Sequence, residues 1–140
     1  MLEPPQRQAS DQAPPVGTSI LSRPDSAQLF FVYPGLRRAF NNKNPMFLLR
    51  AGLAGRNLAL LRDSSIRFFE NGTDENYPPF DSILEWHRSH IESLPALREV
   101  YTVGNSSGGF SALEMGHHLK VKAVYAFCPR GPERGPRLRT

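Results

Sequence analysis

Val103-Gly104-Asn105-Ser106-Ser107-Gly108-Gly109 decides how this chain is read. The residues before it, Glu99-Val100-Tyr101-Thr102-Val103, are β-branched or aromatic at four of five positions and read as a strand. The residues after it, Ser107 to Leu119, carry Phe110, Leu113 and Leu119 at helical spacing. A strand that runs into a helix through Gly-x-Ser-x-Gly must turn sharply. Gly104 and Gly108, two residues on either side of Ser106, keep side chains out of that turn. The Ser106 hydroxyl then projects above the carboxyl end of the sheet. The Ser107 amide falls at a helix N-terminus, where unpaired N–H groups and the macrodipole favour an anion. That supplies half of an oxyanion hole.

Working outward, three more apolar runs read as strands. Leu29-Phe30-Phe31-Val32-Tyr33 is stopped by Pro34-Gly35, and Asn57-Leu58-Ala59-Leu60-Leu61-Arg62 by Asp63-Ser64-Ser65. Ala123-Val124-Tyr125-Ala126-Phe127-Cys128 is stopped by Pro129. Near-continuous apolar runs fit strands covered on both faces, as in a parallel sheet. Helical spacing separates them: Pro45–Ala54, with Met46, Leu49 and Leu53 on one face, and Asp81–Leu94, with Asp81 as N-cap and Ile83, Leu84, Ile91 and Leu94 apolar. Phe68 to Gly72 is an extra strand or a loop. The alternation predicts an α/β fold with four to five strands and helices on both faces. The first strand ends at Gly35 and Leu36, so the amide of either could complete the oxyanion hole. Asp63, at the carboxyl edge of the second strand, either contacts substrate or bonds the next amides of its own turn.

Gly104-Asn105-Ser106-Ser107-Gly108-Gly109-Phe110-Ser111-Ala112-Leu113 resembles the nucleophile region of the bacterial esterase-like branch of the α/β-hydrolase superfamily. Ala126-Phe127-Cys128-Pro129 is similar to the strand that follows it. The resemblance covers about residues 28–129 and implies a serine nucleophile at Ser106. It implies hydrolysis or acyl transfer on a small acyl ester or an acylated glycan. No cofactor is implied. In this superfamily the acid and the histidine follow the serine along the chain. Here only Glu114, Glu133, His117 and His118 do so. Glu114, His117 and His118 ride on the helix leading away from Ser106, and Glu133 lies in the tail. The sequence therefore reads as the N-terminal half of such a domain, with a truncation or reading-frame change near Pro129-Arg130, after the Ser106 turn. Without a base, Ser106 keeps the reactivity of an ordinary hydroxyl. A non-catalytic remnant or interaction module is the alternative, and the fourth strand would be an unpaired apolar edge prone to self-association.

Other chemistries fit less well. Gly104 to Ser111 matches a phosphate-binding loop except that Phe110 stands where lysine must reach the phosphates, and the dinucleotide fingerprint fails at Ser106. His117 and His118 point about 100° apart on a helix and cannot share an ion, so they read as a polar helix end. His87 and His90 lack a third ligand nearby and read as a solvated face. The single cysteine, Cys128, excludes a disulfide framework and a cysteine zinc cluster and reads as a buried strand residue. Asn71-Gly72-Thr73 and Asn105-Ser106-Ser107 match the glycosylation sequon, with no secretion signal to support its use.

The ends differ from the middle. Residues 1–27 hold Pro4, Pro5, Pro14, Pro15 and Pro24 among polar residues and read as a mostly disordered leader. Residues 130–140 repeat Gly, Pro and Arg and read as a basic tail. Four of the 17 basic residues and one of the 13 acidic ones lie there, so the tail carries +3 of the +4 net charge. The remaining +1 forms no basic stripe with interleaved aromatics, which argues against nucleic acid. No run of about 18 apolar residues suggests a membrane span, and a cytoplasmic location is the default expectation.

Overall fold

The computed structural model describes residues 14–15, 17–34, 55–61, 80–127 and 129. They form strands β1 (Ser19–Leu21), β2 (Gln28–Tyr33) and β3 (Asn57–Leu60), helix α1 (Phe80–Glu92), strand β4 (Glu99–Asn105), helix α2 (Ser107–Leu119) and strand β5 (Ala123–Phe127). The expected helix at 45–54, the segment 68–72, Cys128 and the tail from 130 lie outside the described residues.

The five strands make one sheet in the order β1-β3-β2-β4-β5. Their α/β alternation is the architecture expected, with one difference: the sheet is mixed. β3, β2, β4 and β5 pair in parallel, while β1 runs antiparallel along β3, with Ser19 opposite Leu60 and Leu21 opposite Leu58. These residues fell within the leader expected to be disordered. Two features order them. Leu21 packs on the apolar cluster of one sheet face. Buried Asn57 staples the β1–β2 connection: its Oδ1 accepts from the Arg23 amide at 2.6 Å, and its Nδ2 donates to the carbonyls of Ser26 at 3.4 Å and Gln28 at 3.2 Å. A buried amide that satisfies three backbone groups compensates for the thin apolar content of the segment.

Side chains on a strand alternate between faces, and β2 divides the core accordingly. Leu29, Phe31 and Tyr33 join Ala59 and Leu61, together with Ile83, Leu84, Trp86 and Leu94 from α1 and its C-terminal turn, and Ala112 and Met115 from α2. Phe30 and Val32 join Leu58, Leu60 and Tyr101 on the opposite face, where the Phe30 and Tyr101 rings stack with centroids 4.7 Å apart. Both described helices thus cover one face; the third helix expected from the sequence, over 45–54, lies outside the described residues.

The pairing geometry fixes where any site must lie. β2 sits between β3 and β4, so the chain moves one way from β2 to β3 and the other way to β4 and β5. The carboxyl ends of β2 and β4 flank that reversal, the place where crevices of open α/β sheets form. Tyr33 is opposite Gly104 there, and Asn105 is opposite Phe127. No helix among the described residues is long and apolar enough to cross a membrane.

Candidate functional site

The turn after β4 is built from its glycines. A Cβ on Gly104 would overlap the carbonyl of Gly108 and lie 2.7 Å from the Gly109 amide nitrogen. A Cβ on Gly108 would overlap the carbonyl of Tyr33 and lie 2.9 Å from the Pro34 carbonyl carbon. The first contact folds the helix start back over the strand end. The second presses that helix start against the end of β2. Both positions therefore require glycine for close approach.

Between them Ser106 adopts φ 55° and ψ −121°. Residues with a side chain rarely occupy this region, and holding one there costs about 1–3 kcal/mol. The turn is fixed on both sides. The Ser106 amide donates to the Phe127 carbonyl of β5 at 2.9 Å. The Ser106 carbonyl accepts from the amides of Gly109 at 2.9 Å and Phe110 at 3.4 Å, starting α2. Ser106 occupies the N-cap position, yet its side chain makes no capping bond. A serine at that position ordinarily caps. Here the hydroxyl takes no part in capping, and the residue is half-buried at the sheet end.

Ser107 and Gly108 open α2, where the first amides have no carbonyl within the helix to reach. The first turn carries no acidic residue, so nothing of that kind competes for an anion. Gly35, Leu36 and Asp63 lie outside the described residues. The chain reaches residue 35 from Pro34, whose carbonyl carbon abuts Gly108.

The four histidines of the chain all fall within described helices, and none hydrogen-bonds Ser106. His117 and His118 are exposed at the far end of α2, about 16 Å along the axis from Ser106 at 1.5 Å per residue. Glu114, half-buried on the same helix, has its carboxyl pushed upward by desolvation.

His87 and His90 are where the sequence reading fails. They were expected on a solvated face; both are buried. His87 Nδ1 lies 2.7 Å from the Ile83 carbonyl and its Nε2 lies 2.8 Å from the Tyr33 hydroxyl. Its ring packs on Phe31 at 4.5 Å. His90 stacks on Trp86 at 5.1 Å. Burial lowers the His87 pKa to about 4 and also lowers that of His90. The missed signal was positional: His87 is four residues after Ile83 and four before Ile91, so it lies on the apolar arc of α1. Among the described residues no group of three or more His, Cys, Asp or Glu could hold a metal ion.

Comparison with protein-family models, with curated proteins and with solved structures gives no match. The fold defines an α/β domain with a strained serine turn at the carboxyl edge of its sheet.

Proposed function

We propose that this chain is an esterase-like serine acyl-transfer domain of α/β-hydrolase type, with Ser106 as nucleophile on a small acyl ester or acylated glycan. The observation that carries the reading is the backbone of Ser106. It is forced to φ 55° by glycine packing on both sides, while its hydroxyl does no capping work. Strain maintained by its surroundings is a mark of functional positions. In this reading Ser106 Oγ attacks the acyl carbonyl, and the Ser107 amide, with one from Gly35 or Leu36, holds the oxyanion. The proton of Ser106 must go to a base, and the four histidines are engaged or remote. Turnover of unactivated esters by these residues is therefore impaired, whereas strongly activated electrophiles still react.

A fluorophosphonate probe tests this. Labelling at Ser106, identified by peptide mapping and absent in Ser106→Ala, is the expected result. Equal labelling of both proteins would end the proposal.

One observation favours a second reading, an interaction module. Tyr125 and Phe127 on edge strand β5 are 47% and 54% exposed, and Leu113 on the adjoining helix is 45% exposed. An aromatic edge strand invites pairing with another chain. Under this reading the protein self-associates on a sizing column, and Tyr125→Lys restores a monomer.

A further inference from the structure

We propose that His87 is a positioning residue for the Ser106 turn, acting through Tyr33; this rests on the nucleophile reading above. The Ile83 carbonyl can only accept, so His87 Nδ1 carries the hydrogen and donates to it. Nε2 then offers a lone pair, and the Tyr33 hydroxyl donates to Nε2. Burial, which lowers the imidazole pKa to about 4, keeps this neutral tautomer in place at neutral pH.

Tyr33 is the last residue of β2, fully buried and paired with Gly104. Its carbonyl occupies the space that a Cβ on Gly108 would need. One residue thus joins the His87 imidazole through its side chain to the first turn of α2 through its backbone. A displaced Tyr33 presses on Gly108, whose neighbouring amide, that of Ser107, is the one assigned to the oxyanion. Among the described residues, the titratable groups facing His87 are Tyr33 from β2 and His90 from its own helix. α2 contributes Ala112 and Met115 to the same cluster. Protonating Nε2 replaces the acceptor with a second donor, so the Tyr33 hydroxyl must turn its hydrogen away and accept instead, which changes how Tyr33 is held.

The test reads position directly. Backbone amide resonances of Ser107 and Gly108 are followed by NMR between about pH 7 and about pH 3, alongside the His87 ring resonances. In the wild-type protein the two amides shift in step with His87. In Tyr33→Phe the ring still titrates, the amides stop following it, and fluorophosphonate labelling slows about tenfold. His87→Gln, whose amide can donate to Ile83 and accept from Tyr33, holds the two amides at pH-independent positions and restores the labelling rate. It also serves as the deciding variant if Tyr33→Phe does not fold. Amides that ignore His87 in the wild type, or follow it equally in Tyr33→Phe, overturn the proposal, as does a His87→Gln protein whose amides still titrate. Absence of Ser106 labelling in the wild type removes the nucleophile reading alone, because the amide shifts decide the positional link independently.

Discussion

α2 has a residue with positive φ at each end, and the two are alike only in that. Lys120, at the C-terminus, sits at φ 53° and ψ 50°. This is the ordinary left-handed close of a helix, and its amide reaches the carbonyls of Gly116 and His117 while Val121 returns to Gly116 at 3.2 Å. Ser106, at the N-terminus, has nearly the same φ but a ψ of −121°, outside the left-handed well. Lys120 is explained by the bonds it makes. Ser106 is also held by backbone bonds, to Phe127, Gly109 and Phe110, but they keep it in a conformation that no ordinary helix start uses, and its side chain caps nothing. The difference separates a structural device from a position where strain is kept for another purpose.

The comparison breaks first at the glycines. Gly104→Ala or Gly108→Ala puts a methyl group inside backbone atoms. Either is expected to cost more than about 4 kcal/mol, the level reached when a core is disrupted. Urea denaturation followed by circular dichroism measures it; an unchanged midpoint would mean that the turn is not held by this packing.

The next effect concerns pH. His87 binds a proton at about pH 4 in the folded chain and near 6.5 once unfolded. Between those values the unfolded chain holds more protons, so stability is full above pH 6.5 and falls as the pH drops. The loss for His87 totals about 3 kcal/mol by pH 4. Burial of His90 acts in the same direction. Denaturation midpoints across this range test it, and His87→Gln should flatten most of the slope.

Two milder substitutions compare the helix ends directly. Ser106→Gly relieves the turn and is expected to raise stability by about 1 kcal/mol while abolishing labelling. Lys120→Gly is expected to raise it by about 0.5 kcal/mol with labelling unchanged. Equal gains at the two ends, read from the same denaturation curves, would remove the distinction drawn between them.

Much of the fold was legible because pattern and punctuation agreed. The helix predicted from Ser107 to Leu119 has those limits in the structure, since the elbow fixes its start and Lys120 its close. β2 and β5 follow their apolar runs to within a residue. β1 was not legible. Three residues flanked by Ser, Arg and Pro carry too little apolar content, and their order depends on Asn57, more than 30 residues away along the chain. The glycines of the candidate site could be read from steric need alone. His87 could not, because a histidine three residues from another suggests a polar face until the partner of its Nε2 is known to be a buried tyrosine on another element.

The bond from the Ser106 amide to the Phe127 carbonyl has a mechanical consequence. It tethers the strained residue to β5, the outermost of the described strands on that side of the sheet. A pull or a pairing event on β5 is felt at Ser106 across one hydrogen bond, whereas β2 stands two strands inward from that edge. The rim of the sheet is therefore part of the anvil on which this serine is held.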